Sequence, residues 1–164
     1  MTYVGQYRTP AGYDDLLLTS DGVCLTGLRF DGGCVRTPAG CVRELPAFAA
    51  AVRWLDEYFA GRPAAEAPPL CLQGVSPFGA QVLAVVRTIP YGQTRTYGEI
   101  ARQIAAARGV PAMSAQAVGG ALGRNPVCIL IPCHRVIGRG GALTGYAGGL
   151  KNKRLLLAHE RGGH

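Results

Sequence analysis

Cys133 and His134 stand side by side between two apolar, largely β-branched runs, Ile129-Leu130-Ile131-Pro132 before them and Val136-Ile137 after Arg135. Such flanks hold a thiol on a buried frame. A free thiol titrates near 8.5 and is mostly protonated at neutral pH, so nucleophilic use needs a base or a positive charge that favours the thiolate. His134 and Arg135 are of the right types, although adjacent side chains usually point in different directions and the pair alone reads more simply as chance. The other cysteines, Cys24, Cys34, Cys41, Cys71 and Cys128, make no Cys-x-x-Cys pair and have no histidine at zinc-ligand spacing. We therefore expect no metal and no cofactor. Nothing between Met1 and Thr9 resembles a signal peptide, and these five cysteines are expected to be small buried hydrophobes, not disulfides.

The elements that must position this pair fall into two groups. In the first half, Tyr13 to Thr19 and Val23 to Phe30 read as strands joined at Ser20-Asp21-Gly22, with a further turn at Asp31-Gly32-Gly33. Pro46 opens a helix with Phe48, Val52, Leu55 and Phe59 on one face, closed by Gly61 and Pro63. Residues 62–76 are rich in proline and alanine and mark a boundary between a domain over 1–72 and a second over 76–164. In the second half, Ser76-Pro77 starts a helix that buries Phe78, Val82, Val85, Val86 and Ile89 and stops at Pro90. Thr96-Tyr97-Gly98-Glu99 has capping-box spacing ahead of Ile100 and Ile104, with Gly109 and Pro111 ending that helix. Ser114 caps a third, with Val118, Ala121 and Leu122 inward. The order is helix, turn, helix, which also describes any two core helices joined by a loop.

The chain has 164 residues, 48% hydrophobic and 16% charged, with no run of about 18 uncharged apolar residues, so a globular protein without a membrane span is expected, in the cytoplasm or nucleoid. Residues 1–75 carry six arginines against eight acidic residues, whereas residues 76–164 carry eleven lysines and arginines against Glu99 and Glu160. The positive excess is all C-terminal, which fits a polyanion such as nucleic acid and equally a basic surface kept for solubility.

Pro132-Cys133-His134-Arg135-Val136 resembles the active-site signature of the O6-alkylguanine-DNA alkyltransferases. Four further blocks match in order: Ala117-Val118-Gly119-Gly120-Ala121-Leu122, Asn125-Pro126, Gly145-Tyr146-Ala147-Gly148-Gly149-Leu150 and Leu156-Leu157-Ala158-His159-Glu160. The resemblance covers roughly residues 76–160. It implies an α+β protein, with a ribonuclease H-like N-terminal antiparallel sheet and helix and a mostly helical winged helix-turn-helix C-terminal domain. It further implies a monomer that moves an alkyl group irreversibly, once per molecule, from O6-alkylguanine, and from O4-alkylthymine, in double-stranded DNA onto its own cysteine.

Residue by residue, the resemblance makes Cys133 the alkyl acceptor, its proton passing through a water to His134, which Glu160 orients. Asn125 braces the turn before the cysteine segment. Tyr97 rotates the target phosphate and donates to N3 of the flipped guanine. Val136, Tyr146 and Ala147 line the base pocket, and Gly148 and Gly149 let backbone approach the base. Ala115, Gln116, Ala117 and Gly119 lie on the helix that enters the minor groove, where small side chains suit a width of about 6 Å, and Arg135 joins the DNA contacts. Gln116 departs from the family, which usually has an arginine there to fill the stack left by the flipped nucleotide; the Ala105 to Met113 loop offers Arg108 as a substitute. Three other readings are a lesion-flagging protein, against which Cys133 itself stands, a methylation-sensing regulator, for whose extra domains the chain has no room, and a thiol hydrolase that turns over many times.

Overall fold

In the computed structural model, residues 1–32, 45–62 and 66–162 are described. Cys34, Cys41, Gly33 and Pro63 lie outside them. Three antiparallel strands, β1 (Tyr3–Tyr7), β2 (Leu16–Ser20) and β3 (Leu25–Phe30), form a sheet in that order. The pattern in Met1 to Thr9 is too short and too polar to announce β1, which is held by its pairing with β2, Tyr3 opposite Ser20 through Tyr7 opposite Leu16. Both expected strands begin later than their apolar runs do. Tyr13 to Asp15 stays outside β2, where Asp14 bonds Lys151 and Asn152, and Asp21 accepts from the backbone of Val23 and Cys24, keeping those two in the turn.

α1 (Pro46–Phe59) starts at its proline as expected and packs on β2 and β3. Its buried face is turned from the expected one: Phe48 and Leu55 are joined by Ala51 and Tyr58, while Val52 and Phe59 are half-buried. Beyond it, Leu70 bridges Leu25, and Cys24 forms a disulfide with Cys71, their Cα atoms 5.5 Å apart. This corrects the expectation that these two are separate buried hydrophobes. Both are half-buried, and a separation of 47 residues gives a sequence reader no cue to the pairing.

The second half places its helices by local chemistry. Ser76 Oγ caps α2 (Pro77–Val86) through Gly79 N at 3.0 Å, and the chain leaves the helix in a turn at Thr88 and Ile89, ahead of Pro90. Thr96 and Glu99 exchange both capping-box bonds at the start of α3 (Tyr97–Arg108), and Gly109 closes it with φ +66. Ala105 to Arg108 therefore belong to a helix and not to a loop. Ser114 caps α4 (Ala115–Gly123). β4 (Arg95–Thr96) pairs in parallel with β5 (Val136–Ile137), and α5 (Leu150–Glu160), of which the periodicity gave no sign, closes the chain. One buried cluster runs from Leu16, Leu28 and Leu55 through Val82 and Ile104 to Ile131 and Leu156, and Leu28 bridges Val127. Among the described residues no helix is long and apolar enough to cross a membrane.

Candidate active site

Between α4 and β5 the chain folds back on itself tightly. Leu130 N donates to Cys128 O and Cys133 N to Ile131 O, both at 2.7 Å, and Ile129 takes φ +68, the one non-glycine residue with positive φ among those described. A β-branched residue there costs on the order of 1–3 kcal/mol, which the surrounding packing must offset. Asn125 braces the loop as expected: its Oδ1 accepts from Val127 N at 3.0 Å, and its Nδ2 reaches Ile131 O and Cys133 Sγ, both at 3.1 Å. Cys133 then enters a short 3-10 turn, Cys133–Arg135, with 4% of its surface exposed.

That sulfur is poised towards the thiolate. The Cys128 thiol hydrogen-bonds it and pulls its pKa below the usual thiol value; burial opposes this, and Asn125, Tyr146 and the charge of Lys153 add to the lowering. Cys128 itself is pushed well up by its contact with Cys133 and by burial, so of the two thiols Cys133 gives up its proton first.

His134 is fully buried. Its Nε2 bonds Glu160 Oε2, while Nδ1 is buried with no protein partner among the described residues. Burial lowers the imidazole pKa more than Glu160 raises it, which leaves a neutral ring with the proton on Nε2 and a lone pair on Nδ1. Glu160 also accepts from Arg135 Nε at 2.7 Å, Arg135 Nη2 at 3.2 Å, Tyr58 Oη at 2.6 Å and Gly92 N at 3.1 Å. Burial disfavours its charge, yet the donors from His134, Arg135 and Tyr58 outweigh it and hold the carboxyl far below its ordinary range. Arg135 is not offered to a polyanion: it is buried, bidentate to Glu160, bonded to Ile89 O at 2.8 Å and set over the Tyr91 ring. Its expected place among DNA contacts is thereby corrected.

Cys133 opens onto a cavity of about 530 Å³ whose wall includes Tyr97, Gln116, Gly119, Tyr146, Ala147 and Lys153. Ala115 lies on its rim, but Ala117 is exposed beside it, and Val136, also expected in the lining, is wholly buried and paired with Arg95. Tyr97 is half-buried and donates to Thr144 O at 3.2 Å. At Gly148 the close approach is to side chains of the protein itself, since a Cβ there would meet Phe30 at 2.6 Å and Tyr146 at 2.8 Å. Arg108 does not reach the cavity; its Nε bonds Gln81 Oε1 at 2.6 Å and its guanidinium lies over Phe78.

Three site residues escaped the sequence reading. Lys153 is fully buried, donates to Val136 O at 2.7 Å and sits 5.8 Å and 5.9 Å from the Tyr97 and Tyr146 ring centres. A lysine and a glutamate seven residues apart on one face, flanking Leu156 and Leu157, were the signal for it. Cys128 reads in the sequence as a small buried hydrophobe, and Phe59 draws attention from Tyr58 beside it. Among the described residues the one grouping with metal-ligand spacing is Asp21, Cys24 and Cys71, in and beside the β2–β3 turn, and its two sulfurs are joined to each other.

Residues 77–162 match the family described as 6-O-methylguanine DNA methyltransferase, DNA binding domain. A methylated-DNA–protein-cysteine methyltransferase of Mycolicibacterium paratuberculosis is 47% identical over 160 residues, 95% of this chain and 92% of the relative. The fold is similar to the crystal structure of the Mycobacterium tuberculosis O6-methylguanine methyltransferase, with TM-score 0.79 and 40% identity over 99% of this chain and 94% of that one. It is equally similar to the Mycobacterium tuberculosis protein in complex with DNA, with TM-score 0.79 and 42% identity over 98% and 93% of the two chains.

Proposed function

Because the chain belongs to the O6-methylguanine DNA methyltransferase family, we propose that it repairs DNA by direct reversal, with Cys133 as the acceptor of the alkyl group. The observation that carries this reading is the sulfur itself: it faces a cavity of about 530 Å³, its pKa is held below the ordinary thiol value, and it precedes a histidine whose Nε2 bonds Glu160 and whose Nδ1 has no partner among the described residues.

The thiol proton passes to His134 Nδ1 through one bridging water, and Glu160 stabilises the imidazolium without taking the proton itself. The thiolate attacks the alkyl carbon attached to guanine O6. The carbon–sulfur bond forms as the carbon–oxygen bond breaks, and the electron pair goes to the leaving guanine, which is neutralised by a proton. Tyr97, whose hydroxyl already points into the cavity region towards Thr144 O, turns to donate to N3 of the extruded base, making it a better leaving group. Tyr146 and Ala147 grip the base. The thioether has no leaving group that water could expel under these conditions, so one protein repairs one lesion, O4-alkylthymine included.

On the DNA side, α4 presents Ala115, Gln116, Ala117 and Gly119, three of them small enough for a minor groove, and the basic excess of residues 76–164 supplies attraction to phosphate. In this reading residues 76–164 form a winged helix-turn-helix domain and residues 1–72 a ribonuclease H-like one, and the protein acts as a monomer on double-stranded DNA in the nucleoid. The relay is tested by single-turnover transfer in His134→Ala, Glu160→Gln and the double variant. Since the two act as one unit, the three should lose rate to similar extents. Losses that simply add would contradict a shared proton path.

A further inference from the structure

Glu160 Oε2 serves three side chains at once: His134 Nε2, the Tyr58 hydroxyl at 2.6 Å and Arg135 Nη2 at 3.2 Å. Tyr58 comes from α1, in the half of the chain that carries none of the motif blocks. It is 1% exposed, its ring is stacked on Trp54 and edge-on to Tyr91, and its carbonyl is bonded by His159 Nε2 at 2.8 Å, so the hydroxyl has a fixed aim. We propose that Tyr58 is a positioning residue for the alkyl transfer: by donating to the oxygen that His134 uses, it fixes the carboxylate against Nε2 and keeps His134 Nδ1 free to accept the thiol proton. The inference rests on the assignment of Cys133 and His134 given above.

The physical reason is the sharing of one negative charge. A carboxylate facing an imidazole alone draws a second proton onto the ring, and every additional donor to that carboxylate weakens the pull. Removal of the Tyr58 hydroxyl returns charge on Oε2 to His134, which then becomes protonated at higher pH, and a protonated ring cannot act as the base. The other titratable or charged groups around the pair are Arg135, which makes two bonds to Glu160, Lys153, Cys133, Tyr13, Tyr91 and His159. Tyr58 alone among the tyrosines donates to Glu160 within the described residues, and burial, with the negative carboxylate adding to it, pushes its own hydroxyl well above the usual range.

The test is the pH–rate profile of Tyr58→Phe, which keeps the ring and its stacking, with free O6-benzylguanine as substrate and intact mass as the readout. The expected result is transfer about tenfold slower near neutral pH, the scale of one lost charge-assisted hydrogen bond, with the acid limb moved to higher pH and the rate recovering above it. A rate within about twofold of the unaltered protein, or a loss equal at every pH, overturns the inference. If Tyr58→Phe does not fold, 3,5-difluorotyrosine at position 58 decides the matter: its more acidic hydroxyl is the stronger donor, and the acid limb must move to lower pH. An unshifted limb overturns the proposal. Unaltered protein that takes no benzyl group on Cys133 overturns the functional reading with it, whereas normal labelling with an unshifted variant overturns only the role of Tyr58.

Discussion

Burial works against ionisation of a thiol, so the reactivity of Cys133 depends on groups brought from three places: Cys128 and Asn125 in the preceding loop, Tyr146 after β5, and Lys153 from α5. Of these Cys128 lowers the thiol pKa most, and its own thiol, pushed well up, keeps its proton in doing so. Cys128→Ala should therefore raise the Cys133 pKa. A lowered thiol pKa gives a reactivity that is full above the folded value and lost as pH falls through it, so in the variant that limb must shift to higher pH. Alkylation of Cys133 by iodoacetamide across a pH series measures this, and at neutral pH a slowing of roughly tenfold is expected for one bond to a charged acceptor, ~1.5–3 kcal/mol. An unchanged limb would assign the lowered pKa to Asn125, Tyr146 and Lys153 instead.

At the scale of elements, the signals that are local in sequence were legible and those that depend on distant partners were not. Ser76, Thr96 and Ser114 cap their helices as their spacing predicts, because a cap is satisfied within four residues. The register of α1 was misread at its end, where an apolar-first reading chooses Phe59 and passes over Tyr58, whose hydroxyl is stabilised inside only by Glu160, far along the chain. α5 was hidden for a related reason: its inward face holds Asn152, Lys153 and Glu160, so it lacks an apolar stripe. Cys133, His134, Glu160 and Asn125 were found through motif resemblance, and no periodicity or spacing argument alone would have joined them.

The same scale carries the prediction about base extrusion. α4 presents Gln116 to the cavity, and Arg108, at the end of α3, is bound to Gln81 and set over Phe78, so it is not placed to stand in for an arginine at position 116. Flipping costs a few kcal/mol, and an inserted side chain recovers part of it. Gln116→Arg should speed repair of paired O6-methylguanine severalfold and leave the reaction with free O6-benzylguanine nearly unchanged, as measured by single-turnover rates on both substrates. Arg108→Ala should leave the ratio of the two rates where it was. A loss confined to duplex substrate in Arg108→Ala would mean that the side chain leaves Gln81 to enter the DNA.

For the molecule as a whole, the two halves are not a catalytic part and a bystander. Arg135, Glu160 and Tyr58 tie the 3-10 turn, the end of α5 and the sheet-bound helix into one buried polar network, and Asp14 in the first half bonds Lys151 and Asn152 in the second. A network of that kind favours a rigid, pre-set thiol over one that must be assembled on each substrate.

A protein that is consumed by its own reaction shows a fixed stoichiometry in titration. The protein is mixed with O6-methylguanine DNA from well below to well above equivalence, and intact mass and peptide mapping are read at completion. The account predicts that repair stops when each protein has gained a single methyl group, all of it on the peptide containing Cys133, and that Cys133→Ser gains none. Repair that continues past one equivalent, or a methyl group found on Cys128 or any other residue, would contradict it.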